Sequence, residues 1–219
     1  RVGVDYAKHS YEEIARLWLD EFNKRAVGVG LIPGVLEAIR ALHAQGRSQS
    51  VLSASYEPSV RAQCAALGLT PYMKDISGLQ DESAGKKTEI GRRQLHELGL
   101  AGADVVLVGD MLADAHLAEA LGADCVLVSW GHNDLKRLMS TGLPVLTTDC
   151  AWVPRLVADG AGLVVPVGDA AALAAGLKKL ADNPALRHRM GATGRQHVLE
   201  RHTWPASAAE KPPRSMSAH

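Results

Sequence analysis

The chain has 219 residues, which at ~150 residues per domain is more than one domain and less than two. Its 24 Lys and Arg balance 24 Asp and Glu, so the net charge is zero and the pI is about 7.3. That excludes binding driven by a strong basic field, and with it nucleic acid and anionic membrane as expected partners. Nor does any apolar run approach the ~18 residues that span a bilayer. There is one Phe against four Trp and four Tyr in a chain rich in Ala, Leu and Val, a composition suited to parallel strands buried under helices. Cys64, Cys125 and Cys150 stand far apart among apolar or small residues. They read as small buried hydrophobes, not as a disulfide framework or a zinc site, and a reduced, cytoplasmic setting is expected. The chain opens on Arg1 without an initiator Met or a signal-peptide pattern, and the expectation is that a further N-terminal segment precedes it.

In chain order, Ser10-Tyr11-Glu12-Glu13 has the form of a capping box, with Ile14, Leu17, Trp18 and Phe22 following at helical spacing. Gly28 to Gly34 breaks that helix. Its glycines are a poor dinucleotide fingerprint, since no strand precedes them and Pro33 interrupts them, and a turn before a helix is the plainer reading. Val35, Ile39 and Leu42 form the stripe of the next helix, which Gly46 closes. From there short aliphatic runs alternate with helical stretches. Val51–Ser53 reads as a strand, Val60–Leu67 and Lys87–Leu98 as helices, Val105–Val108 as a strand and Ala113–Leu121 as a helix. Cys125–Val128 and Val145–Thr147 read as strands, and Ala170–Leu180 as a helix. Such alternation indicates a parallel sheet in an α/β fold.

Polar residues at the carboxyl ends of strands form the site in such sheets. Ser53 ends the first strand. Gly109-Asp110 ends the second, with Asp114 four residues on, and Ser129 ends the third. Lys87 opens the helix between the first two. A strand-end Asp with a second Asp one helical turn later can place two carboxylates on a hard cation such as Mg²⁺. A hydroxyl and an ammonium nearby can hold phosphoryl oxygens and neutralise charge that develops in transfer. Taken singly, Asp114 is a helix N-terminal acid favoured by the macrodipole and Lys87 is a solvated side chain. The ordered set points further than its members.

That order resembles the haloacid dehalogenase-like hydrolase superfamily, in its phosphoglycolate-phosphatase-like branch, over residues 11–144. Leu31-Ile32-Pro33-Gly34 looks like the entry to the core after a helical cap. Val51-Leu52-Ser53-Ala54-Ser55 is similar to the second motif, Lys87-Thr88-Glu89-Ile90-Gly91 to the third, and Gly109-Asp110-Met111-Leu112-Ala113-Asp114 to the fourth. Ser129-Trp130-Gly131-His132 is also like the branch. The resemblance implies a three-layer Rossmann-like parallel sheet (an HAD-like core) with a partial helical cap at 1–30, a core at 31–144 and an α/β C-terminal appendage. It implies phosphate binding by Ser53, Ala54 and Lys87, catalytic roles for Lys87 and Asp110, and Mg²⁺ held by Asp110 and Asp114. The implied substrate is a small phosphate ester, attacked through aspartyl-phosphate chemistry. The family's first motif, a strand ending in Asp-x-Asp, is missing. The nearest segment, Val2-Gly3-Val4-Asp5-Tyr6-Ala7, has Ala in place of the second Asp and reads as a cap loop. The core is therefore expected to lack its first strand and its nucleophile, so that the chain is a partial or inactive hydrolase.

A second resemblance begins near Gly142. Gly142-Leu143-Pro144-Val145, Val153-Pro154, Gly162-Leu163-Val164-Val165-Pro166 and Asp182-Asn183-Pro184 look like the C-terminal end of retaining glycosyltransferases built from two Rossmann-like domains, over residues 142–204. That family's donor signature is a pair of Glu; Ser129 and Arg137 stand at the aligned positions, so sugar-donor contact does not carry over. The plainer reading is a strand–helix–helix appendage at 145–204 that packs on the sheet, followed by a disordered tail at 205–219. Three functions are thus open: a Mg²⁺-dependent phosphatase core, a nucleotide-sugar transferase remnant, and a non-catalytic packing or partner-binding module.

Overall fold

The computed structural model describes residues 10, 13–14, 16–17, 21, 24–25, 28–80, 87–150 and 153–201. The motif candidate at 2–7 and the tail at 205–219 lie outside them. Contacts divide the chain into Arg1–Ile32 and Pro33–His219. In the first unit the capping box forms. The Ser10 amide donates to Glu13 Oε2 at 3.0 Å, and the Glu13 amide donates to Ser10 Oγ at 3.2 Å. The described residues that follow, through Arg25, are helical.

The second unit alternates as the sequence predicts. α1 (Val35–Ala44) leads to β1 (Ser50–Tyr56), α2 (Glu57–Ala66), β2 (Asp75–Leu79) and α3 (Lys87–Leu98). β3 (Val106–Gly109), α4 (Leu112–Leu121), β4 (Asp124–Val128), α5 (Leu135–Met139) and β5 (Val145–Thr148) follow. The chain then runs through α6 (Val153–Leu156), β6 (Leu163–Val165), α7 (Ala170–Ala181) and α8 (Pro184–Arg201). Every strand pairing is parallel.

β4 and β5 are buried on both faces, which is why their sequences are continuous aliphatic runs. On one face Cys125, Leu127 and Val145 meet Ala118 of α4 and Leu135, Leu138 and Met139 of α5. On the other, Val126, Val128 and Leu146 meet Leu180 of α7 and Met190 of α8. The result is a three-layer α/β fold. β6 pairs with β5, Leu146 opposite Leu163, so the transferase-like stretch extends the same sheet as the phosphatase-like stretch.

The strands form two sheets, β2-β1 and β3-β4-β5-β6. Among the described residues no ladder joins β1 to β3, and the division falls between the strand that carries Ser53 and the strand that leads to Asp110. β3 shows the effect in its burial. Val106 and Leu107 are half-buried and Val108 is 50% exposed, while its neighbour β4 is buried from Cys125 to Val128. Among the elements that join the halves is α3, which packs on β1 and β2 and also on α4. Gly91 makes the close approach possible: a Cβ there would meet Leu121 Cδ1 of α4 at 2.8 Å and Leu52 Cδ2 of β1 at 3.3 Å.

The C-terminal helices are tied in from both directions. α1 packs on α7, and Arg47 pairs with Asp182. On α8, Arg187 is 4% exposed. It donates to the Leu180 and Ala181 carbonyls at the end of α7 and pairs with Asp124, the first residue of β4.

Two expectations need correction. The strand β2 has no counterpart among the predicted elements. Its sequence, Asp-Ile-Ser-Gly-Leu, has few strand formers, and it is held by hydrogen bonds that side chains supply: Ser77 Oγ donates to Asp75 at 2.5 Å and the Gly78 amide to Glu57 Oε2 at 3.1 Å. Cys64 and Cys125 are buried free thiols as expected, but Cys150 is free and exposed, because it lies just beyond the end of β5. Burial pushes the Cys125 thiol up to about 12. No helix among the described residues is long and apolar enough to cross a membrane.

Removing the buried Arg187 guanidinium leaves the Leu180 and Ala181 carbonyls without their donor and the more exposed Asp124 without its cation. Arg187→Ala is expected to cost roughly 3 kcal/mol, read as a lower urea midpoint. Arg187→Lys should recover only part of that, since an ammonium lacks the planar fork that reaches two carbonyls and a carboxylate. Iodoacetamide at pH 8 should label Cys150 before Cys125, as peptide mass mapping would show.

Candidate functional site

Lys87, Asp110 and Asp114 sit where a helix begins or a strand ends, but Ser53, expected to end the first strand, does not, because that strand runs on to Tyr56. Ser53 lies within β1, and its Oγ accepts from the Ser55 amide at 3.1 Å. The exits of β1 and β2 are then locked to α3. Glu57 accepts from the Gly78 amide and from Arg93 at 3.1 Å, and Arg93 also donates to the Gly78 carbonyl at 3.3 Å. Burial pushes the Glu57 carboxyl up, but the Gly78 amide and the Arg61 and Arg93 guanidiniums outweigh it and hold it below the usual value.

Asp114 is the centre of the second half. It is 5% exposed, and both oxygens are engaged. Oδ1 accepts from Lys87 Nζ at 2.7 Å, and Oδ2 accepts from the amides of Asp110 at 3.0 Å and Met111 at 3.1 Å. An acid at the third position of α4 that reaches back over the first turn satisfies donors the helix itself cannot. Gly109 has no Cβ because one would strike the Asp114 carboxylate.

Asp110 is held from the other side. Its Oδ2 accepts from the His132 amide at 2.7 Å and from His132 Nδ1 at 2.8 Å. The Asn133 amide donates to the Asp110 carbonyl at 3.3 Å, and the Leu112 amide donates to Asn133 Oδ1 at 2.9 Å. A Cβ on Gly131 would fall on the Asp110 carboxylate. Burial pushes that carboxyl up, yet the His132 amide and imidazole outweigh it and hold it below the usual carboxylate value. Ser129 faces the neighbouring strand instead, where its hydroxyl shares a 2.5 Å hydrogen bond with the buried Thr147 hydroxyl of β5.

The structure thus brings Lys87, Asp110 and Asp114 together, and Asp114 is the link. Ser53 belongs to the other sheet, and among the described residues no hydrogen bond joins it to the three. The expected side-by-side carboxylate pair is arranged differently, with Asp114 bound to Lys87 and the turn. Among the described residues no group of three or more His, Cys, Asp or Glu is gathered as a metal site. The oxygen donor that remains, Asp110, suits a hard cation of the kind held by one or two carboxylates with water and substrate phosphate. Sequence reasoning passes over Glu57, Arg93, His132 and Asn133 as members of this setting. The one signal for the last two is a Gly-His-Asn run just past a strand end.

The sequence profile of the haloacid dehalogenase-like hydrolases matches residues 2–128. The chain belongs to that family. A profile of glycosyl transferases group 1 matches residues 138–197. The family match begins nearer the N-terminus than the motifs alone suggest and ends at β4. A phosphoglycolate phosphatase of Mesorhizobium japonicum is 33% identical over 136 residues, 60% of this chain and 58% of that protein. A D-inositol 3-phosphate glycosyltransferase of Streptomyces avermitilis is 36% identical over 118 residues, 51% of this chain and 25% of that protein. The chain therefore spans about half the length, or less, of the curated relatives it matches. Among solved structures, a predicted phosphoglycolate phosphatase from Haemophilus somnus superposes with a TM-score of 0.53 at 20% identity, over 61% of each chain, which shows the shared fold.

A carboxyl held below its ordinary value contributes stability that is present above the unfolded value, about 3.9 for Asp, and is lost as pH falls through the folded value. Asp110→Asn is therefore expected to lower the melting temperature at pH 7 and to flatten its fall below pH 4, read by circular dichroism melts across pH.

Proposed function

We propose that this chain carries the phosphate-handling core of a phosphatase that acts on a small phosphate ester in a cytoplasmic setting. The observation that supports it most is the Lys87–Asp114 pair, which fixes an ammonium beside the turn that presents Asp110. In this reading the Ser53 hydroxyl and the Ala54 amide donate to phosphoryl oxygens. Lys87 neutralises charge as it builds on the phosphoryl group. Asp114 keeps Lys87 and the β3–α4 turn in place, and Asp110 would hold Mg²⁺. The cation, when bound, would offset the negative charge of phosphate and nucleophile. Aspartyl-phosphate chemistry also needs an attacking carboxylate. Asp110 and Asp114 are already engaged in other roles, so turnover requires a further one. The transferase-like stretch serves as packing in this reading, supported by the pairing of β6 with β5 and by the Arg187–Asp124 contact.

Orthovanadate, a phosphoryl mimic, should bind the chain in calorimetry, with Lys87→Met weakening it at least about tenfold by loss of the charge-assisted contact. Equal binding by Lys87→Met would remove the phosphate site. Any Mg²⁺-dependent hydrolysis of p-nitrophenyl phosphate should vanish in Asp110→Asn.

A further inference from the structure

We infer that His132 is the positioning residue for Asp110, so that the loop after β4 sets how this carboxylate meets a cation; this rests on the cation role proposed above. Asp110 is placed at the exit of β3, but nothing in that strand fixes the rotation of its side chain. The fixing comes from Gly131-His132-Asn133. Two donors of one residue, the backbone amide and Nδ1 of His132, converge on the single oxygen Oδ2 at 2.7 and 2.8 Å. The carboxylate cannot turn without losing both. Because Nδ1 lies against a carboxylate oxygen, which only accepts, the contact calls for a proton on Nδ1.

The surrounding contacts hold the loop itself to the turn. Asn133 contributes one bond from its amide to the Asp110 carbonyl and one from its side-chain oxygen to the Leu112 amide. Gly131 leaves room for the carboxylate. The loop is anchored beyond by Asp134, which caps α5 by accepting from the Arg137 amide at 3.0 Å. His132 is solvent-exposed and packs in no core, so its fixed geometry has one evident beneficiary. Oδ2 is taken, and a cation is directed to what Asp110 has left. Partners that orient a ligating carboxylate typically change metal affinity 10–100-fold when removed.

The test uses the full chain and Mn²⁺ as the probe, followed by water-proton relaxation, together with ¹⁵N shifts of the His132 ring at pH 7.5. The wild type is expected to show His132 as the Nδ1-protonated tautomer, and Asp110→Ala, which removes the acceptor, to abolish that preference. His132→Phe should weaken Mn²⁺ at least about tenfold. His132→Asn should restore most of it, because its side-chain amide nitrogen can stand where Nδ1 stood. A ring that averages both tautomers in the wild type would overturn the inference, as would a His132→Phe chain that binds Mn²⁺ as well as the wild type. Absence of Mn²⁺ binding by a wild type that keeps the tautomer signature would count against the cation role of Asp110 and overturn the functional half of the inference, while the hydrogen-bonded pairing itself would stand.

Discussion

Asp114 makes the contacts on which the arrangement of this molecule depends. Among the described residues the strands form no single continuous ladder, so there the two sheets are held in register by another means. Part of it is the seam of α3 against α4 at Gly91, and part is a carboxylate with one oxygen on each side of that seam. Oδ1 reaches Lys87 of α3, and Oδ2 reaches the turn between β3 and α4. A nearly buried carboxylate is tolerated only when its oxygens are hydrogen-bonded, and here the bonds that satisfy it also align the helix of one half with the strand exit of the other. The same residue caps the start of α4, seats the ammonium and shapes the turn that begins at Asp110.

The double engagement of Asp114 also explains why the sequence motif and the chemistry are related less directly than spacing suggests. Two acids four residues apart read as a shared cation site. In the structure they have different roles: one carboxylate looks inward and organises, and the other looks toward the loop after β4. Spacing along a helix fixes which side chains are near each other. It does not say which of them has already been claimed by backbone amides, because unsatisfied amides at a helix start are a property of the turn and not of the letters around it.

The parts of the fold that are legible in the sequence are those with strong local signals. Lys87–Leu98 is the helix its residues suggest, and Ser10 with Glu13 forms the box its pattern announces. The runs at Val106, Cys125 and Val145 are the strands that aliphatic composition predicts. β2 is not legible, because Asp75, Ser77 and Gly78 are poor strand formers that become a strand through Glu57, Gln94 and β1, all distant in sequence. His132 escapes for a similar reason. Nothing near it in the sequence indicates that Asp110, a whole helix and strand earlier, will be its partner.

The contact of α1 with α7 carries a consequence for how the chain comes into being. Arg47 and Asp182, which join the two, are 135 positions apart. At synthesis rates of ~5–20 residues per second, α1 waits on the order of ten seconds for its partner to be made. Until then the face of the sheet formed by Val126, Val128 and Leu146 has no cover from α7 or α8. The family-typical stretch is therefore the first to emerge and one of the last to be completed. Its closing is a non-local event of the kind that slows folding.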